Sequence, residues 1–110
     1  MKKKIRRKVI HIAGGFDPYH KPDFFSFLEK IINENDEEEI ILDLKDLNYL
    51  HFKAGSALRQ IRKKLSARGK KLSLKNVSPY FLQLLNLSGH DWRYDILDKK
   101  LRRRKNKFVK

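Results

Sequence analysis

Short apolar runs alternate with segments of helical periodicity along most of this 110-residue chain. The runs are predicted strands, because each is either continuously apolar or apolar at every second residue. They cover residues 9–13, 40–44, 71–75 and 92–96. Between them, apolar residues spaced as i, i+3 and i+4 predict three amphipathic helices, within 24–32, 54–65 and 81–85. Strands that alternate with helices are typical of parallel sheets. The sequence therefore predicts an α/β fold with a mostly parallel four-stranded sheet and covering helices.

Residues at the expected ends of these elements support the same order. Ser78 followed by Pro79 is a typical N-cap and first helical residue. Gly69 stands where a C-cap glycine would end the second helix. Asp43, at the end of the central strand, is expected to order the following loop through hydrogen bonds, with a cation site or a catalytic base as the alternatives. The predicted apolar stripe of the first helix consists of Phe24, Phe27, Leu28, Ile31 and Ile32.

Positive charge is concentrated at the two ends of the chain. The 27 lysines and arginines outnumber the 13 acidic residues, which gives a net charge of +14. Residues 1–8 contain six basic side chains and no acid, and residues 98–110 contain eight basic side chains and one acid. The stretch between them is close to neutral. We therefore expect one domain over 9–97, with a basic arm at 1–8 that leads into the first strand and a basic tail at 98–110.

The basic ends are candidates for binding a polyanion. Lysine and arginine attract anionic membranes and nucleic-acid phosphates without reading sequence. In the tail only Phe108 is available to stack on a base, so sequence-specific recognition of nucleic acid is not expected. A tail that is simply solvated is the alternative interpretation. The candidate residues are Lys2, Lys3, Lys4, Arg6, Arg7, Lys99, Lys100, Arg102, Arg103, Arg104, Lys105 and Lys107.

Several function classes lack support in the residue pattern. The chain has no cysteine, which excludes disulfides, thiolate metal sites and a cysteine nucleophile. Its four histidines are dispersed, and neither a phosphate-binding glycine loop nor a nucleophile elbow occurs. We therefore expect no catalytic residue, no metal and no cofactor. Because there is no secretory signal and no apolar run of about eighteen residues that could span a membrane, we expect a cytoplasmic protein, with association at a membrane surface left open.

Four segments of the chain, taken in order, resemble a known family. Residues 14–17 read Gly-Gly-Phe-Asp after the first strand, and 67–69 read Ala-Arg-Gly before the third. The central run at 40–44 and the segment 76–89, which begins Asn-Val-Ser-Pro, complete the set. Their order and spacing resemble the STAS domain, a family named for sulfate transporters and anti-sigma factor antagonists. The resemblance implies a single STAS-like α/β domain over 9–97, without enzymatic activity, that binds a protein partner as a regulator or adaptor.

The phosphorylation signature of that family is degenerate in this chain. The signature reads Asp-Ser-Ser/Thr-Gly-Leu-x-x-Leu, and alignment on Leu58 places it at residues 51–58. Lys53 then occupies the position at which anti-sigma factor antagonists carry the phosphoacceptor serine or threonine. A lysine is not phosphorylated as a serine is, so the resemblance implies a member without the usual phosphorylation switch. Ser56 is expected to be an ordinary helical serine, with a displaced phosphoacceptor as the alternative.

The loop and helix start around Lys53 form the predicted partner-binding site. The resemblance implies two kinds of partner: a switch kinase or anti-sigma factor, or the ATPase of a lipid-trafficking ABC transporter at the membrane surface. The alternatives are a surface turn with Phe52 packed into the core, a basic helix face that is only solvated, and a nucleic-acid-binding accessory protein that uses both basic ends. The candidate contact residues are His51, Phe52, Lys53, Gly55, Ser56, Arg59, Arg62 and Lys63.

Overall fold

A computed structural model describes residues 5–20 and 22–97, without the side chains of Pro22 and Phe24. Phe24 was predicted to be buried. The strands β1, β3 and β5 form a three-stranded parallel sheet in the order β1-β3-β5, and β2 and β4 form a separate two-stranded parallel sheet. Parallel strands with three covering helices confirm the predicted α/β class. The elements are β1 (Arg7–His11), β2 (Gly14–Phe16), α1 (Pro22–Glu34), β3 (Glu39–Asp43), β4 (Leu47–Leu50), α2 (Ala54–Ala67), β5 (Lys71–Lys75), α3 (Pro79–Asn86) and a 3-10 helix (Trp92–Asp95).

The three-stranded sheet has one apolar face and one mixed face. Successive strand residues point to opposite faces, so Ile40 and Leu42 of β3 face the core, as do Leu72 and Leu74 of β5. On the other face, the buried carboxylates of Glu39 and Asp43 each lie between basic side chains of the two neighbouring strands. The register there aligns three rows: Arg7, Glu39 and Lys71; Val9, Ile41 and Ser73; and His11, Asp43 and Lys75.

Helix α1 packs on the core through a stripe that differs from the predicted one. Leu28 and Ile32 are buried as predicted, and Phe25 packs edge-on against Phe16 with ring centroids 6.2 Å apart. Phe27, however, is 61% exposed, so its assignment to the buried stripe is wrong. Closely spaced phenylalanines allow two helical phases at this point, and the structure uses the phase that turns Phe25 toward the core.

The local end signals of α2 and α3 are confirmed. Gly69 has a φ of +72° and follows the last turn of α2, where the Lys70 N–H donates to the Leu65 carbonyl at 2.8 Å. This is the geometry of a glycine-terminated helix end. At the start of α3, the Ser78 hydroxyl accepts from the Phe81 N–H at 3.1 Å. The predicted apolar stripe of α2 is buried at Ala54, Leu58, Ile61 and Leu65.

The predicted fourth strand of the main sheet is wrong. Residues Trp92–Asp95 form a 3-10 helix, and among the described residues after α3 only Ile96 pairs with the sheet, through a bridge to Leu74 of β5. A strand would bury alternate residues and turn Tyr94 toward the same side as Ile96. The structure instead exposes Tyr94 and buries the carboxylate of Asp95. That carboxylate lies 3.3 Å from Nε of Arg62 and 2.6 Å from Nε2 of His90, and these contacts override the period-two pattern of the sequence.

The small parallel sheet of β2 and β4 is not predicted from the sequence, in which Gly14 and Gly15 only follow the end of the first strand. In the structure Gly14 pairs with Leu47, and Phe16 pairs with Leu50. The His51 N–H then donates to the Phe16 carbonyl at 3.0 Å. Because the two strands are parallel, the segments that follow them leave the sheet at the same edge.

Candidate functional site

The segments that follow β2 and β4 bring four aromatic rings together. The His51 ring stacks on Phe52 with centroids 4.7 Å apart, and it lies 5.1 Å from the centroid of Tyr19 and 6.3 Å from that of His20. We refer to these four residues as the aromatic cluster. Tyr19 is 60% exposed and Phe52 is 54% exposed. The alternative in which Phe52 packs into the core is therefore wrong, and the aromatic cluster lies on the protein surface.

The turn that carries Tyr19 and His20 is held by a buried carboxylate. Asp17 accepts the backbone N–H groups of Tyr19 and His20, at 2.9 and 3.1 Å, and its second oxygen lies 2.6 Å from Nδ1 of His20. Burial alone would raise the pKa of Asp17, but the hydrogen bonds from His20 and Tyr19 outweigh it and hold that pKa below its usual value. The carboxylate of Asp17 thus positions one half of the aromatic cluster.

Lys53 is the residue that immediately precedes α2, and its charge lies among the rings. The Lys53 Nζ is 5.2 Å from the Tyr19 ring centroid and 5.8 Å from that of Phe52, and the Lys53 N–H donates to Nδ1 of His51 at 3.1 Å. No side chain caps the start of α2, and the first turn contains no acid. A cation at this point adds to the positive end of the helix dipole. The position that carries the phosphoacceptor in the resembling family is therefore strongly positive here.

Gly55, one of the predicted contact residues, is buried and faces the inside of the molecule. A Cβ added there would collide with the carbonyl oxygen of Leu85 in α3. The prediction that Gly55 contacts a partner is therefore corrected: the glycine allows α2 and α3 to approach closely. Ser56, the next residue, is exposed at the start of α2.

The predicted basic residues of α2 differ in whether an acid of the same chain forms an ion pair with them. The Arg62 Nε lies 3.3 Å from the carboxylate of Asp95, which the residue pattern did not indicate. Arg59 donates to the carbonyl of Ser88 at 3.2 Å and remains exposed. Within 5–20 and 22–97, no ion pair joins Arg59 or Lys63 to an acid. These two side chains keep their charge available at the surface.

Two basic residues of the amino-terminal arm, Arg6 and Arg7, pair with acids of the same chain. Arg6 Nε lies 3.5 Å from Glu38, and Arg7 Nε lies 2.8 Å from Glu39. Burial would raise the pKa of Glu39, but hydrogen bonds from Ser73 and Arg7, together with nearby positive charge, lower it. Both arginines remain more than half exposed in these ion pairs, and their part in binding a polyanion stays a prediction. The other polyanion candidates, at 2–4 and 99–107, lie outside the described residues.

Asp43 orders the loop after β3, as predicted. Its carboxylate accepts from the side-chain amide of Asn76 at 2.8 Å and from the Lys45 N–H at 3.1 Å, and it lies 3.0 Å from Nδ1 of His11. The hydrogen bond from Asn76 is the main cause of its lowered pKa. In the described part of the chain, no group of three or more His, Cys, Asp or Glu residues could hold a metal ion. The helices described there are all too short or too polar to cross a membrane.

These features define a small α/β domain whose candidate site is an exposed surface at the start of a helix. The sequence profile of the STAS domain matches residues 1–101. The chain belongs to the STAS domain family, which confirms the resemblance seen in the sequence. Domains of this family are generally non-catalytic and regulatory. A comparison with curated proteins by sequence found no match.

Solved structures share the fold. The unphosphorylated form of the anti-sigma factor antagonist SpoIIAA has a TM-score of 0.66 at 16% identity, over 100% of this chain and 96% of that chain. A sulfate transporter family protein from Wolinella succinogenes has a TM-score of 0.65 at 21% identity, with coverages of 94% and 90%. The STAS domain of a SulP transporter from Vibrio cholerae has a TM-score of 0.61 at 13% identity, with coverages of 96% and 86%. At these identities the likeness shows the fold alone.

Sequence reasoning missed Tyr19 and His20 as members of the site. They are more than thirty residues from His51 in the chain and carry no motif of their own. The available signal was topological: parallel strands that end at one edge bring the segments after them together. That signal depends on recognising β2, a strand of only three residues.

Proposed function

We propose that this STAS domain is a non-enzymatic regulator or adaptor that binds a protein partner through the start of α2. The proposed docking surface consists of Tyr19, Phe52, Lys53, Ser56, Arg59 and Lys63. It combines loops fixed by the β2 and β4 sheet with the first turns of a helix, and loops on a rigid scaffold commonly carry binding residues.

The exposure of Phe52 and Tyr19 beside Lys53 is the observation that carries this proposal. More than half of each of these two residues is accessible to water, whereas Phe16 and Trp92 are buried in the core. Aromatic and arginine side chains are enriched in protein interfaces and dominate their binding energy. A partner that buries the two rings would remove their apolar surface from water, and this burial would stabilise the complex.

The proposed partner interaction works without serine phosphorylation at the signature position, because Lys53 has no hydroxyl to modify. The name of SpoIIAA relates it to an anti-sigma factor, and the other two similar structures come from transporters. As the family resemblance implies, the partner we propose is an anti-sigma factor or switch kinase, or the ATPase of a lipid-trafficking ABC transporter. Lys53 favours a partner that does not act as a kinase on this domain.

Affinity capture from the source cell tests the proposal. The wild-type chain should retain a protein partner, and Lys53→Glu and Phe52→Ala should each reduce its recovery. Lys30→Glu on α1 is the matched control, since it makes the same charge change at an exposed lysine away from the docking surface. Equal recovery by all four proteins, or phosphate found by mass spectrometry on Ser56 of the captured chain, would contradict the proposal.

A second candidate function is weak polyanion binding by the basic tail. Eight basic side chains and one acid within 98–110 favour it, because each neutralised phosphate releases counterions and strengthens binding. Binding of mixed-sequence RNA at physiological salt should be lost when residues 98–110 are deleted. Binding that is indifferent to this deletion would exclude the tail as the site.

A further inference from the structure

Helix α2 carries positive charge in its central part and no negative charge. Residues Ala54–Ala67 contain four arginines and lysines and no acid. Two of the four are neutralised within the chain: Arg62 pairs with Asp95, and Lys64 lies 3.1 Å from Glu29 of α1. The other two, Arg59 and Lys63, are exposed.

The two basic residues without an acidic partner in the described part of the chain lie, together with Ser56, along one line of the helix surface. Ser56, Arg59 and Lys63 are spaced as i, i+3 and i+7, which places them on one face, opposite the buried Leu58, Ile61 and Leu65. Lys53 extends this line by one turn toward the aromatic cluster. From Lys53 to Lys63 the line covers about 15 Å, at about 1.5 Å per residue. A ligand that matches it must carry several negative charges spread over a comparable length.

The Lys53 ammonium lies beside aromatic rings, which leave its charge in place, whereas an acid at the same position would neutralise it. Its ammonium lies over the Tyr19 and Phe52 rings, and such rings attract a cation without removing its charge. The carboxylate of Asp17, which positions one half of the aromatic cluster, is occupied by Tyr19 and His20. The positive charge of Lys53 is therefore held in place and remains available to an incoming anion.

The rings beside Lys53 are poorly placed to stack on nucleic-acid bases. Phe52 already stacks on His51 with an interplanar angle of 22°, and the Lys53 ammonium lies over the rings of both Phe52 and Tyr19. Bases bind to single-strand platforms through free ring faces. The exposed remainder of the rings suits contact with an apolar side chain. An acidic protein segment offers both features, because it carries negative charges spaced along its length and apolar side chains that can contact the rings.

We propose that the docking surface binds an acidic, amphipathic segment of a protein partner. Its carboxylates pair with Lys53, Arg59 and Lys63, and an apolar side chain of the segment covers Phe52 and Tyr19. This inference rests on the proposed function and adds the chemistry of the partner. Such complementary charge accelerates encounter and selects among partners, so the association weakens as the salt concentration rises.

Nuclear magnetic resonance titration of the isotopically labelled full chain tests this inference with defined probes. The first probe is a helical peptide that carries glutamates at i, i+3 and i+7 beside leucines, and the second is the same peptide with lysine in place of glutamate. We expect the glutamate peptide to shift the amide signals of Phe52 to Lys63, and the lysine peptide to leave them unchanged. Lys53→Glu and Lys63→Glu should each weaken binding by about fivefold, and Lys30→Glu should leave it unchanged.

Single-stranded RNA and a phosphoserine peptide serve as competing probes at physiological salt. Equal or stronger binding of either probe at Phe52 to Lys63 would overturn the proposal, as would glutamate-peptide shifts confined to residues 98–110. Failure of the glutamate peptide to bind would also overturn it. This titration measures binding of a peptide, whereas affinity capture of a cellular partner tests the proposed function itself. The titration can therefore fail while the capture succeeds, and the two failures are distinguishable.

Discussion

Asp43 shows how one buried carboxylate fixes the edge of the sheet from which its loops depart. It links β1, β3 and the residue after β5 through His11, its own strand and Asn76. Its hydrogen bonds favour the ionised form in the folded state, and the lowered pKa reports this preference. The contribution of Asp43 to stability therefore depends on pH.

We expect Asp43→Asn to make the dependence of stability on pH less steep. Because folding lowers the pKa of Asp43, its stabilising effect is complete above the ordinary aspartate pKa of about 3.9 and is lost as pH falls through that value toward the lowered one. The variant should be less stable than wild type at neutral pH, and the difference should be smaller at about pH 3. Urea unfolding at both pH values measures this difference.

Asp46→Asn is the control for this measurement, since Asp46 is an exposed acid in the same loop. Its free energy of unfolding should differ from that of wild type by no more than about 0.5 kcal/mol at either pH. A constant difference between Asp43→Asn and wild type across the pH range would show that the ionisation of Asp43 is not coupled to folding.

At the scale of elements, the packing of α2 on α3 depends on the absence of a side chain at Gly55. The backbone of α2 approaches the Leu85 carbonyl there more closely than any Cβ would allow. This contact and the bond from Arg59 to Ser88 place the end of α3 beside the first turns of α2. The close approach thus fixes the base of the docking surface.

Gly55→Ala is expected to destabilise the fold by about 1–3 kcal/mol, the usual cost of overpacking. Alanine is the better helix former by about 1 kcal/mol, which offsets only part of this cost. Chemical denaturation of the variant measures the net effect. Ser56→Ala, at the exposed neighbouring position, should change stability by less than about 0.5 kcal/mol. A Gly55→Ala protein as stable as wild type would show that α2 and α3 are not in tight contact.

The helices were predictable from the sequence because their signals are local. The Ser78 cap, the Gly69 terminus and the apolar stripe of α2 each act within one or two helical turns. The 3-10 helix at Trp92–Asp95 was not, because a pattern of alternating residues does not reveal that the buried Asp95 contacts Arg62, 33 residues away, as well as the nearby His90. The same holds for β2, whose pairing with β4 joins segments about thirty residues apart.

At the scale of the whole molecule, the candidate site was predictable in part. The family signature located the stretch that contains Phe52, Lys53 and Ser56, but it also included Gly55, which helix packing buries. It did not include Tyr19, which the topology of the small sheet brings in. Nor did the basic composition show that Arg6 is paired with Glu38. A basic residue in a sequence does not by itself show whether an acid of the same chain pairs with it.

Site-specific photocrosslinking in the source cell tests the central claim most directly. A photoreactive phenylalanine derivative would replace Ser56 on the docking surface, and in a parallel chain it would replace Lys30 on α1. The account predicts a discrete protein adduct from position 56 that is absent from position 30. An adduct from position 30 alone, or none from position 56 while the domain is folded, would contradict it.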